Sequence, residues 1–263
     1  MKFSGWKCIS ALLMAILMSS CILVQTTVRV NKDGSGSLEQ KILRRDPGMG
    51  GSSRKSTFDE NELRKNADAF GTGVTFKSAR SATENEMEGY VVFYDFKDIS
   101  SLRIDPSLGG AILNDLNMFR NGQAEKDLIT FSFKPGKPAE LIIHNPRGAE
   151  DELMADDMSE IKSDMDKEEE QEMMEMMQTL YKGMRFTLRV ETDGKIKTTD
   201  ATFHQGSTVT LLDIDFNEMM KDSANLKKMA PLQNMTPQEM SRHLQDIPGL
   251  QYEARDRISI KFN

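Results

Sequence analysis

The sequence predicts an α+β fold: an antiparallel sheet built from hairpins, with helices packed on one face, plus a long acidic, Met-rich helix. Three observations predict it. Apolar and polar residues alternate in short runs from end to end of the chain, and several of these runs are joined by glycine-containing turns. Stretches with three- and four-residue apolar spacing interrupt them, and capping residues open two of these stretches. The segment 150–182 contains neither glycine nor proline and carries the chain's excess of acid. With 263 residues, 38% hydrophobic and 29% charged, the chain has the composition of a soluble globular protein and length for one large domain or two small ones.

The elements follow in order. Thr27 to Asn31 turns Val28 and Val30 inward, Lys32-Asp33-Gly34-Ser35-Gly36 reverses the chain, and Leu38 to Leu43 returns as the second arm of a hairpin. Asp46-Pro47-Gly48-Met49-Gly50-Gly51 marks a loop. Thr57 and Glu60 form a capping box for a short helix with Leu63, Ala67 and Phe70 on one face, stopped at Gly71. Val74, Phe76 and Ser78 alternate in one strand. Gly89 to Phe96 is β-branched and aromatic enough for a central strand, with Leu102 and Ile104 as its candidate continuation. Leu128 to Phe133 and Leu141 to His144 flank Lys134-Pro135-Gly136-Lys137-Pro138 as a second hairpin. Met184, Phe186, Leu188 and Val190 alternate up to Asp193-Gly194, the strongest short hairpin signal in the chain, and Ile196 to His204 and Thr208 to Asp215 complete a meander. Phe216, Met219, Met220 and Leu226 share a helical face, Thr236-Pro237-Gln238-Glu239 opens a further helix, and Ile258, Ile260 and Phe262 alternate in a closing strand.

Within 150–182, Met154, Met158, Ile161 and Met165 recur at spacings of four, three and four, a stripe that serves either as core for the domain's own sheet or as a partner-binding surface. Met173, Met176, Met177 and Leu180 resume it out of phase, beyond Lys167-Glu168-Glu169-Glu170. Thirteen acids stand against Lys162 and Lys167 between Glu150 and Met177. Like charges at i,i+4 cost about 0.2–0.5 kcal/mol per pair, so such a helix needs packing to stabilise it.

At the N-terminus Lys2 and Lys7 precede the apolar run Cys8 to Met18, the layout of a secretory signal peptide. A run of eleven residues is too short to span a bilayer core, which takes about 20. Met18-Ser19-Ser20-Cys21 then resembles the lipobox of bacterial lipoproteins, which implies cleavage after Ser20 and a diacylglycerol on Cys21. Cysteine usage is consistent, because Cys8 and Cys21 are the only two and a processed chain would keep only the lipidated one. The alternative is an uncleaved anchor, with Ile22-Leu23-Val24 prolonging the apolar run to the length of a tilted span. The order of anchoring cysteine, Asp33-Gly34-Ser35-Gly36 hairpin, helix and Tyr90 to Phe96 strand resembles the LppM-like family of bacterial envelope lipoproteins over about residues 21–104. That resemblance implies an envelope lipoprotein with an α+β domain and no catalytic residues. The expected organisation is a signal peptide (1–20), a lipid anchor and short tether (21–26), an N-terminal α+β region (27–149), the acidic helical segment (150–182), and a C-terminal region of meander, helices and closing strand (183–263).

The chemistry the sequence excludes narrows the function. His144, His204 and His243 are far apart and in no metal-binding spacing, so no metal site is expected. Gln205-Gly206-Ser207-Thr208 lacks a nucleophile elbow's second glycine, and Gly71-Thr72-Gly73 lacks the further glycine or lysine of a phosphate loop. Asn31-x-Asp33-x-Ser35-Gly36 has Ile42 where a calcium loop needs a bidentate Glu. Carboxylate pairs such as Asp156 with Glu160 and Asp213 with Asp215 are expected by chance among 41 acids. No catalytic residue, cofactor or enzyme activity is therefore expected, and a net charge of −7 argues against nucleic acid. The reading is an exported protein of the cell envelope, held to a membrane by lipid on Cys21 and acting as a protein-interaction module. The alternatives are a carrier or sensor for a small apolar ligand or lipid, and a structural lipoprotein without a ligand.

Overall fold

Thirteen strands form from the alternating runs in the computed structural model, which describes residues 22–45, 58–105, 128–145, 183–222 and 243–263 and the single positions 175, 178, 181, 224, 225, 228 and 239. In chain order they are β1 (Ile22–Val30), β2 (Gly36–Arg44), β3 (Thr75–Glu84), β4 (Met87–Phe96), β5 (Arg103–Ile104), β6 (Ile129–Lys134), β7 (Ala139–His144), β8 (Arg185–Thr192), β9 (Ile196–Thr199), β10 (His204–Gln205), β11 (Thr208–Asp215), β12 (Leu250–Tyr252) and β13 (Arg257–Phe262). Among the described residues two short α-helices accompany them, α1 (Glu60–Asn66) and α2 (Phe216–Met219), with 3-10 turns at Ala67–Phe70 and Ile99–Ser101. The strands divide between two sheets. The larger runs β10-β11-β8-β1-β2-β4-β3 with β12 also paired to β11, and the smaller runs β5-β6-β7-β13-β9. None of the helices among the described residues is long and apolar enough to cross a membrane.

Alternation along β1 explains where the core lies. Ile22, Val24, Val28 and Val30 are buried on one face. Val28 and Val30 join Leu38, Val92, Tyr94 and Phe96 in a cluster that also contains Phe131, Leu141, Ile143, Ile258, Ile260 and Phe262, so the two sheets enclose one core. Ile22 and Val24 join a second cluster with Ile42, Phe186, Met219, Leu244, Ile247 and Leu250, where helical segments cover the same sheet face beside the smaller sheet. Asp59 caps α1 by accepting from the Asn61 N–H at 2.8 Å, and the Tyr94 hydroxyl donates to the Leu63 carbonyl at 3.1 Å, fixing α1 on the sheet. Burial, with a smaller contribution from the neighbouring Tyr90, raises the pKa of the Tyr94 hydroxyl, which keeps it a donor at any ordinary pH.

Several expectations hold. The β1–β2 hairpin turns through Asn31–Ser35, the β6–β7 hairpin turns at Pro135–Pro138, β4 is interior to its sheet, and the closing strand β13 buries Ile258, Ile260 and Phe262. Others are corrected. The protein is mostly strand, in two sheets instead of one, and the larger sheet is mixed: β1 pairs β8 in parallel from Leu23↔Arg185 to Val30↔Thr192. Asp193-Gly194 is no hairpin turn. It carries the chain from β8 in one sheet to β9 in the other, and the Asp193 N–H donates to the Val30 carbonyl at 2.8 Å. The expected meander is thereby broken, since β9 pairs β13 and only β10 and β11 return to the larger sheet. Leu102 and Ile104 do not extend β4 but lead into β5 of the smaller sheet. The tether expected over 21–26 is strand from Ile22 onward, because Ile22, Leu23 and Val24 are all needed as core. A helix as long as 150–182 is not supported: that segment lies outside the described residues except Glu175, Gln178 and Tyr181, which are helical. Strands of the 27–149 and 183–263 regions share both sheets.

One irregularity decides which face carries charge. Simple alternation from Val209 would turn Leu211, Asp213 and Asp215 inward together. The register of β11 against β8 slips between Thr210 and Leu212, a β-bulge that places Leu211 and Leu212 both toward the core and turns Asp213 and Asp215 outward. There Asp213 accepts from Arg185 through two nitrogens at 3.0 Å, from Arg189 at 2.7 Å and from the Thr187 hydroxyl at 3.2 Å, while Asp215 lies 3.6 Å from Arg185. Arg29 bridges Glu39 at 2.6 Å and Glu191 at 3.0 Å on the same face. Burial pushes the Asp213 carboxyl up, but the hydrogen bonds and charges of the two arginines outweigh it and hold the group below the usual carboxylate range.

Two outcomes follow from these contacts. A group whose pKa is depressed by folding stabilises fully above its unfolded pKa, about 3.9 for Asp, and loses that contribution as pH falls through the folded value. Asp213→Asn is expected to cost about 1–2 kcal/mol at pH 7, discounted for the half-exposed guanidinium groups. In urea titrations across pH the gap to the parent protein should close below about pH 4; a gap independent of pH would show that the carboxylate is not what stabilises this face. Gly194 sits at φ +136°, and an added Cβ would lie 1.8 Å from the Asn263 carbonyl oxygen. Gly194→Val should therefore cost more than about 1 kcal/mol in thermal or urea denaturation.

Candidate functional site

The end of the larger sheet at which β1 begins carries a cleft of about 600 Å³, lined by Glu175, Gln178, Tyr181, Phe216, Asn217, Met220 and Lys221. Local chemistry builds its walls. Asp215 ends β11 and caps α2, its Oδ1 accepting from the N–H groups of Asn217 at 3.1 Å and Glu218 at 3.2 Å. That cap fixes the direction of α2 and sets Phe216 against the Tyr181 ring, stacked with centroids 5.0 Å apart and planes 11° off parallel. Phe186 meets Phe216 edge-on from beneath at 6.3 Å. Two side-chain amides tie the helical segment holding Gln178 and Tyr181 to α2: Gln178 Nε2 donates to the Met220 carbonyl at 2.9 Å, and the Gly183 N–H donates to Asn217 Oδ1 at 2.8 Å.

The cleft floor is continuous with the apolar cluster that contains Ile22. Its volume lies in the range of small-molecule sites, and its lining combines two rings and a methionine with one acid, one lysine and two amides. Such a surface can hold a flat or partly apolar group and fix it with hydrogen bonds. Among the described lining residues there is no histidine, cysteine, serine or threonine, and the side chains present supply stacking, hydrogen-bonding and ionic contacts.

The residues singled out in the sequence are not brought together. Ser20 and Cys21, and Met154, Met158, Ile161 and Met165, lie outside the described residues, as do Asp156 and Glu160. His144 meets the Ser132 hydroxyl at 3.1 Å, His204 is in β10, and His243 Nε2 lies 2.5 Å from the Lys228 carbonyl oxygen, on three separate elements. Among the described residues no group of three His, Cys, Asp or Glu could hold a metal ion. Asp33 spends its carboxylate on the Ser35 N–H and hydroxyl, at 3.0 and 2.6 Å. The fully buried Glu253 is likewise committed, accepting from the Thr202 N–H and hydroxyl and from the Arg255 N–H. Gln178, Tyr181 and Asn217 were not foreseen as a site. Their only signal is a Tyr closing the acidic segment and an Asn following Phe216, and nothing local says that the two segments meet.

No family model matches the sequence, and no curated protein matches it. Among solved structures, the NMR structure of the folded domain of the Mycobacterium tuberculosis LppM protein aligns with 12% sequence identity over 72% of this chain and 80% of that one, at a TM-score of 0.28. A superposition that loose says nothing about how this chain folds or acts.

Proposed function

We propose that this chain is an envelope lipoprotein, anchored through lipid on Cys21, whose exported domain acts as a protein-interaction module. The observation that carries the anchor is the start of β1. Ile22 and Val24 are each 3% exposed on the inner face of the sheet, and Leu23 is 5% exposed beside Leu43 and Met87 on the other. An uncleaved anchor needs those three residues in the bilayer to approach the required length of about 20. With them committed to the fold, the apolar run from Cys8 stops short of a span, which favours a processed leader over an uncleaved anchor. The Met18-Ser19-Ser20-Cys21 pattern supports the same reading.

Lipid on Cys21 would leave the domain at the residue before β1, so the sheet end bearing the cleft would rest against the headgroups. A carrier or sensor for a small apolar ligand or lipid is the second reading, and the cleft's size and stacked rings favour it. The interaction reading places the partner on the stripe Met154, Met158, Ile161 and Met165.

Replacing Cys21→Ala should move the protein from the membrane to the soluble envelope fraction; detergent-phase partitioning that survives the substitution would restore the uncleaved anchor. In hydrogen exchange, the interaction reading expects fast exchange before Lys167 and slow exchange after Glu172. Uniformly slow exchange across 150–182 would remove the stripe as a docking surface, and native mass spectrometry showing co-purified lipid would favour the carrier.

A further inference from the structure

Three of the four sheet edges among the described residues end on very short strands: β10 and β12 with two and three residues, β5 with two, and β9 with four. Short edge strands are a common way of preventing edge-to-edge association. The fourth edge is β3, ten residues long and exposed along most of its length, and no described strand pairs its outer side. Its first half is blunted, because the register slips between Phe76 and Ser78 and Lys77 projects there to pair with Asp95 at 3.1 Å. Ala79–Glu84 is regular and unblunted.

The register of β3 tells which groups face out. Glu84 and Met87 close a two-residue turn whose members Asn85 and Glu86 both have positive φ, 49° and 63°. In such a hairpin the closing pair exchanges both backbone hydrogen bonds, so by alternation Ala82 and Arg80 also face β4, while Ala79, Ser81 and Thr83 present their N–H and C=O groups outward. The side chains of Arg80, Ala82 and Glu84 share the outer face of the sheet, and Ala82 packs beside Leu23, Leu43 and Met87. Glu84 also meets Lys41, and no acid pairs with Arg80 among the described residues.

We propose that the Ala79–Glu84 edge is a homodimer interface, pairing antiparallel with the same segment of a second copy of this chain in the register centred on Ala82. Opposite charges four residues apart make this segment self-complementary: Arg80 faces Glu84 of the second copy twice by symmetry, and Ser81 exchanges backbone bonds with Thr83. Centring the pair on Arg80 would set two arginines face to face, which disfavours that register. The interface is independent of any lipid on Cys21.

The test is sedimentation velocity of the full chain in detergent, with cross-linking alongside. The parent protein should dimerise with rising concentration. Arg80→Glu or Glu84→Arg alone should weaken dimerisation about tenfold or more, because each makes two like-charge contacts, and the double swap should restore it. Opposite residues in a non-hydrogen-bonded pair lie within disulfide reach, so Ala82→Cys should give an oxidised dimer that Ser78→Cys and the parent do not. A monomer at every concentration with no Ala82→Cys cross-link overturns the proposal and leaves the edge to an extended segment of another protein. A dimer indifferent to the charge swaps overturns it equally, since the contact would then lie elsewhere.

Discussion

The parallel ladder between β1 and β8 is the constraint on which the rest of the structure depends. It joins residues about 160 positions apart, from Leu23↔Arg185 to Val30↔Thr192. Parallel neighbours cannot be joined by a tight turn, so the intervening chain must travel away and come back. On its way it builds the rest of one sheet flank, β2, β3 and β4, and then three strands of the second sheet, β5, β6 and β7. The price is loop-closure entropy before any contact across the ladder is gained. What offsets it is that both strands are core on one face: Val28, Val30 and Val190 are wholly buried, and Phe186 and Leu188 nearly so. With β1 gripped on both sides, neither half of the chain has a sheet of its own.

This arrangement explains what the sequence could show. The β1–β2 and β6–β7 hairpins were legible because both strands and the turn are contiguous, and Tyr90–Phe96 was legible because its composition suits only an interior strand. Asp193-Gly194 misled for a physical reason. A glycine with positive φ serves a hairpin and a sheet-to-sheet crossing equally well, and the choice lies in the partners: the Asp193 N–H goes to Val30, and β9 goes to β13. Ile22-Leu23-Val24 misled in the same way, since an apolar run beside a leader and an apolar strand start look identical until Phe186 and Ile42 are seen against it.

The site was less legible than the fold. Asp213 sits in the alternation Val209, Leu211, Asp213 as though it belonged to the core, and only the bulge beside Leu211 turns it to the arginines. Bulges leave no fixed sequence signature, so the charged face of the larger sheet could not be read in advance. The cleft is harder still, because Tyr181 and Phe216 come from segments whose meeting is set by Asp215, Asn217 and Gln178 acting on backbone groups. Local periodicity reports which side of an element is apolar and does not report which two elements meet.

The two faces of the larger sheet consequently divide the work. The inner face is committed to core, shared between the second sheet and the helical cover over Ile22 and Val24. The outer face carries paired charge along Asp213, Arg185, Arg189, Arg29, Glu39 and Glu191, where closely spaced opposite charges stay hydrated. The β3 edge offers backbone groups in regular register, and the end at Ile22 offers the cleft. Leu23, Leu43, Met87 and Ala82 connect these places across the outer face as a small apolar cluster, so pairing at Ala82 and contact at the Ile22 end bear on the same few side chains. Leu23, on the outer face, and Ile22, on the inner face, are neighbours in the strand on which the whole sheet is built, so the apolar cluster beside β3 and the one beneath the cleft meet at the start of β1.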